Sequence, residues 1–152
     1  MQTMLTRLPR WVTTLMAVLG VAGIGGLMQL LPIAKDLTNP PVLQEPAWDS
    51  PQTRDLTRRA CFDCHSNETV WPWYSQIAPL SWMIAQDVFG ARATFKCSEG
   101  VPDPNLTPQE IHAIVEEGEM PPGLYLLSHP GARLSLAEIR LLADGLSRSM
   151  QP

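Results

Sequence analysis

Residues 59–65 read Arg59-Ala60-Cys61-Phe62-Asp63-Cys64-His65, and the C-x-x-C-H pattern inside them decides how the rest of the chain is read. On a helical turn, positions i and i+3 share one face. Two thiols placed there reach the two vinyl groups on one edge of a haem, and the next residue brings an imidazole under the iron. This is the pattern of c-type haem attachment. Upstream, Ser50 is a suitable N-cap and Pro51 a suitable first helical residue. The run from Pro51 to Cys64 holds no helix breaker, so the sequence predicts one helix that delivers both thiols in its last turn.

Other chemistries for the motif lack support. A zinc site needs four ligands, and the remaining candidates, Cys97, His112 and His129, are scattered without a second C-x-x-C pair. A thioredoxin-like motif needs a βαβ setting, and no strand pattern surrounds residue 61. The cysteine count is three, which does not suit a disulfide scaffold. Cys97 is therefore read as a spare thiol, with an intermolecular disulfide as the lesser alternative.

Downstream, Trp71, Trp73, Tyr74 and Trp82 cluster in NETVWPWYSQIAPLSW (67–82), and they are expected to form an aromatic wall against the porphyrin. Thr107-Pro108-Gln109-Glu110 is a capping box with proline at the first helical position, and Ile111, Ile114 and Val115 follow at helical spacing up to Gly118. Ser135 to Glu138 is a second capping box, and Leu136, Ile139, Leu142, Ala143 and Leu146 form an apolar stripe. Between these helices lies Met120-Pro121-Pro122-Gly123, where a thioether on a rigid loop suits an axial ligand. His129 is the rival sixth ligand. His112 reads as solvent-exposed, and Met83 as core rather than ligand.

Upstream, Trp11 to Ala34 carries no charged side chain. Its length of about 24 residues is enough for a helix to cross a ~30 Å hydrocarbon core. Arg7 and Arg10 precede it, which favours an inside N-terminus and an outside C-terminal domain. A cleaved signal peptide is the alternative, but cutting after Ala34 would place Pro32 at −3. Gly20, Gly23, Gly25 and Gly26 read as lipid-facing filler rather than a packing face. The expected organisation is a membrane anchor over 1–35 with its helix at about 11–34, a proline-rich linker over 36–50, and a haem domain over 51–152. Extended at ~3.1 Å per residue, the linker would hold the domain up to about 45 Å from the bilayer.

Proline is frequent, 15 of 152 residues, so short helices joined by shaped loops are expected. All 15 acids but only 8 of the 11 basic residues lie from Asp36 onward, a balance of −7 for that part. An acidic domain repels phosphate backbones, which sets nucleic acid aside. A redox partner with a basic face fits better.

The stretch CFDCHSNETVWPWYSQIAPLSW (61–82), preceded by DLTNPPV (36–42) and followed by EEGEMPPGLYLLSHPGARLSLAE (116–138), resembles the small bacterial haem-binding domain family defined by C-x-x-C-H with a WPWYS segment. The resemblance runs from about residue 36 to residue 146. More remotely, the chain is similar to class I cytochrome c: haem helix first, then a methionine-proline loop and a C-terminal helix. Together with the transmembrane helix read from the apolar stretch, these resemblances imply an all-α fold, a small cytochrome c-like domain behind that N-terminal helix. They imply attachment at Cys61 and Cys64, His65 as proximal and Met120 as distal ligand, and a Pro79 carbonyl that accepts a hydrogen bond from His65 Nδ1. The stretch between Met120 and the last helix is longer than in most class I cytochromes, which keeps His129 open as ligand. Lys96 and Cys97 also depart from the pattern.

The expected function is a monohaem c-type cytochrome with one haem c per chain, an electron carrier rather than an enzyme. It would be single-pass in an inner or thylakoid membrane, with the haem domain on the periplasmic or lumenal side. A haem sensor with a displaceable sixth ligand is the alternative, and a peroxidase finds thin support in Arg133 near His129.

Overall fold

The computed structural model describes residues 9–33, 37–100 and 106–150. Helix α1 covers Arg10–Gln29, and none of its residues is buried. Its 20 residues are long and apolar enough to cross a membrane. The helix stops short of the expected 34 because Pro32 disfavours helical backbone at Leu31, and residues 31–33 form a turn. The candidate cleavage point at Ala34 and the flanking charges Arg7, Lys35 and Asp36 lie outside the described residues. A Cβ added at Gly20, Gly23, Gly25 or Gly26 would meet nothing within 4 Å.

The remaining helices are α2 (Pro51–Ala60), α3 (Phe62–His65), α4 (Leu80–Thr94), α5 (Pro108–Glu116), α6 (Gly123–Ser128) and α7 (Leu136–Ser149), with short 3-10 turns at Trp73–Gln76 and Pro130–Ala132. Among the described residues there is no strand, only one isolated parallel bridge between Gln44 and Glu99. The fold is therefore all-α, as expected.

Local sequence explains the helix starts. Ser50 Oγ accepts from the Thr53 amide at 3.1 Å, ahead of Pro51. Both capping boxes form, Thr107 with Glu110 and Ser135 with Glu138. Gly118 has φ +76°, a left-handed position that suits glycine, and it closes α5.

The core sits where α2, α5 and α7 meet, and it contains Leu56, Phe62, Phe95, Cys97, Ile111, Val115, Leu142, Ala143 and Leu146. On α7 the stripe begins later than expected, because Leu136 at the first turn is exposed. Helices α2 and α7 approach so closely that a Cβ on Gly145 would lie 2.1 Å from Thr53 Oγ1. Arg59 adds an ion pair with Glu138 at 2.6 Å across the same pair of helices.

Two expectations need correction. The motif helix is not continuous. At Cys61 the backbone turns to φ −125°, ψ −28°, which separates α2 from α3. The Cys64 and His65 amides both bond the Cys61 carbonyl, so α3 winds tightly on the break. The linker is also not an extended spacer. Asn39 Nδ2 donates to the Thr69 carbonyl, the Asn67 side-chain amide donates to the Pro41 carbonyl, and the Leu43 and Gln44 amides bond the Ser98 carbonyl. These backbone groups find partners on the domain, so residues 37–50 lie along it.

Candidate functional site

A cavity of about 450 Å³ opens between α3, α4, α5 and the loop after α5. Cys61, Cys64, His65 and Met120 all line it. The sequence-expected attachment points, proximal ligand and distal ligand thus share one space. The other lining residues are mostly apolar or small, including Ala60, Gly90, Ala91, Ile111, Ile114 and Val115.

His65 is the most firmly held of the four. Its Nδ1 lies 2.9 Å from the Phe95 carbonyl. A carbonyl only accepts, so Nδ1 carries the proton and Nε2 keeps its lone pair free. Burial holds the imidazole's pKa below the ordinary histidine range, against the opposing effect of the Phe95 hydrogen bond. A second link runs back, from the Cys97 amide to the His65 carbonyl at 2.7 Å. Residues 95–97 therefore clamp the histidine from both its ring and its backbone. The expected acceptor was the Pro79 carbonyl, and this is corrected. Pro79 caps α4, where its carbonyl accepts from the Trp82 and Met83 amides.

The segment after the motif is fixed by Arg92, a buried arginine on α4. Its guanidinium donates to the Ser66 carbonyl at 2.8 Å, to Thr69 Oγ1 at 2.8 Å and to Asn39 Oδ1 at 2.8 Å. One side chain thereby ties α4, the turn after His65 and the segment entering the domain.

Burial raises the Cys61 thiol to about 12 and the Cys64 thiol to about 11. Cys97 is 0 % exposed, and burial raises its pKa too. Its sulfur is closed off from the surface, which does not favour the minor reading of an intermolecular disulfide. Among the described residues, no three His, Cys, Asp or Glu side chains converge as a metal-ion site.

Met120 follows the end of α5, where the Glu119 and Met120 amides both bond the Ile114 carbonyl. His129 does not share the cavity of Met120. It lines a neighbouring groove of about 400 Å³. There it stacks on Tyr125, with ring centroids 4.1 Å apart. Tyr125 lines both spaces and donates to Asp63 Oδ2 at 2.8 Å, which ties α6 to α3.

The expected aromatic wall is also corrected. Trp71, Trp73 and Trp82 do not line the cavity, and Tyr74 lines the groove instead. Trp71 packs near the Arg92 guanidinium, 5.9 Å from its ring centroid. Trp73 points outward, edge-on to Tyr74. The wall supplied by α4 is instead Gln86, Asp87, Gly90, Ala91 and Thr94, small from Gly90 onward. Gly90 lines the cavity, and a Cβ there would meet nothing within 4 Å. A glycine inside a helix costs stability, which was the one sequence signal for this wall. His112 is half-buried rather than solvent-exposed, and it bridges α5 to Asp144 of α7 at 3.1 Å. Met83 is exposed at the groove rather than in the core.

The donor set fits a haem: two thiols, one neutral imidazole with a free Nε2, and one thioether around a mostly apolar space. The family model described as Haem-binding domain matches residues 23–148. No curated protein and no solved structure matches the chain.

Proposed function

The chain belongs to the haem-binding domain family, and we propose that it is a membrane-anchored monohaem c-type cytochrome that carries electrons. The observation that supports this reading best is that Cys61, Cys64, His65 and Met120 line one apolar cavity. In this reading Cys61 and Cys64 would hold one haem per chain through thioethers, and His65 Nε2 and the Met120 sulfur would bind its iron. Bound there, the haem supplies a one-electron iron couple, and histidine–methionine ligation raises its potential. The Phe95 carbonyl keeps the His65 ring in one tautomer and orientation. The apolar lining excludes water, while the domain's acidic balance suits a partner with a basic face. Helix α1 anchors the chain in an inner or thylakoid membrane, with the domain on the periplasmic or lumenal side.

A second reading, a ligand-binding haem sensor, is favoured by one observation: Met120 is 38 % exposed on a loop and so is displaceable. Carbon monoxide added to the reduced holoprotein separates the two. The electron-carrier reading expects slow, partial binding in the wild type and fast, stoichiometric binding in Met120→Ala. It also expects the weak red absorption band of methionine-bound ferric iron in the wild type and its loss in the variant. Fast stoichiometric binding in the wild type would select the sensor.

A further inference from the structure

The outer end of α1 is bonded to the domain. Gln29 Nε2 donates to the Gln76 carbonyl at 3.0 Å, and Gln29 Oε1 accepts from the Ala78 amide. One side chain thus saturates two backbone groups of the WPWYS loop and pins that loop beside the membrane helix. Next to the pinned loop the surface is apolar. Trp73 is 77 % exposed, and it lies edge-on to Tyr74, which lines the groove of about 400 Å³. The lips of this groove are Leu80, Met83, Leu124 and Leu127, all exposed, with Leu127 at 72 %. Large apolar side chains gathered on one face mark a contact surface. Trp and Tyr beside a membrane helix suit the bilayer interface, with an apolar body and a polar edge.

Two acids line this groove, Asp63 and Asp87. Asp63 is occupied by the Tyr125 hydroxyl and the Val70 amide. Asp87 lines both the groove and the haem cavity, so it stands at their junction.

We propose that the face formed by Trp73, Leu80, Met83, Leu124 and Leu127 docks on the outer surface of the bilayer that α1 spans. The domain then lies against the membrane instead of standing off on a spacer. Cys64, Asp87, Pro122 and Tyr125 line both spaces, so this edge of the haem cavity faces the bilayer surface. The proposal rests on the reading of α1 as a membrane span, and the test keeps the two apart.

Single cysteines replace Val21, Trp73, Leu127 or Leu136 in the haem-loaded full chain (Val21→Cys, Trp73→Cys, Leu127→Cys, Leu136→Cys). Each carries a nitroxide and is reconstituted in phosphatidylcholine–phosphatidylglycerol vesicles. Collision with oxygen, enriched in lipid, is compared with collision with a water-soluble nickel chelate. Val21 reports the span, and Leu136, exposed on α7, reports the aqueous side. The expected oxygen-to-nickel ratios at 73 and 127 lie several-fold above that at 136. Ratios at 73 and 127 equal to that at 136, with 21 still in lipid, overturn the docking and leave the anchor standing. A water-like ratio at 21 overturns the anchor and the docking with it. Shielding at 73 and 127 that requires an added soluble protein makes the face a protein surface and also overturns the proposal.

Discussion

Replacing Gly145 by alanine should loosen the helix pair that carries the haem motif. The added Cβ would lie 2.1 Å from Thr53 Oγ1, 2.8 Å from its Cγ2 and 2.9 Å from its Cβ, where ordinary contact begins at 3.4 Å. Thr53 cannot swing aside, because it is 2 % exposed, its amide bonds Ser50 Oγ, and its Oγ1 lies 2.9 Å from the same oxygen. The helices must separate, and overpacking of this kind costs about 1–3 kcal/mol. Alanine returns about 1 kcal/mol of helix propensity. The net expectation is a loss of up to about 2 kcal/mol, or a drop in Tm of up to roughly 15 °C for a domain of this size. The assay is guanidinium unfolding of wild type, Gly145→Ala, Thr53→Ala and the double variant, all in the same detergent. Thr53→Ala removes Oγ1 and Cγ2, so the double variant should recover roughly 1 kcal/mol relative to additivity. A Gly145→Ala chain more stable than wild type, or strictly additive variants, would refute the close crossing of α2 and α7.

Three further outcomes follow from the same structure. Gly90→Leu should place a side chain into the cavity, lowering haem content per chain while leaving the apo-domain at least as stable, since leucine gains up to about 1 kcal/mol over glycine in a helix; unchanged haem content would remove the small-residue wall from the account. Arg92→Leu should cost about 3 kcal/mol by leaving the Ser66 carbonyl and its neighbours without donors, read as a lower denaturation midpoint with faster proteolysis after residue 65; a stable variant would show that water replaces the guanidinium. Glu138 has its pKa lowered from 4.5 to about 2, by the Ser135 amide first and then by Arg59. A depressed carboxylate stabilises the fold fully above its unfolded pKa, and that contribution fades as pH falls from about 4.5 to about 2. Glu138→Gln should therefore flatten the stability–pH curve in that window, and an unchanged slope would contradict the capping geometry.

Much of this molecule was legible because its signals are local. Ser50-Pro51, Thr107 to Glu110 and Ser135 to Glu138 each satisfy their own helix ends within four residues, so tertiary structure had little to override. The motif's spacing, too, predicts that its two thiols and its imidazole share one space, as they do. What was not legible depends on groups far apart in the chain. The Phe95 carbonyl reaches His65 only because α4 ends at Thr94 and the chain then extends past the motif. The tryptophans near the motif suggested a wall, yet Arg92 draws Trp71 to itself and the 3-10 turn at Trp73–Gln76 leaves Trp73 outside. A lone arginine in the VFGARA stretch (88–93) of α4 was the available hint of that buried hub. Met120 and His129 are both loop residues near prolines, and only their placement in separate cavities distinguishes them. The linker's prolines suggested a free spacer but were silent on what Asn39, Pro41, Leu43 and Gln44 would bond.

The most direct test of the central claim is the mass of the denatured polypeptide, purified from a host that attaches c-type haem. The account predicts polypeptide plus one haem, with the pigment retained through acid–acetone and lost in Cys61→Ala/Cys64→Ala. A bare polypeptide mass, with all pigment extracted into acetone, would contradict it.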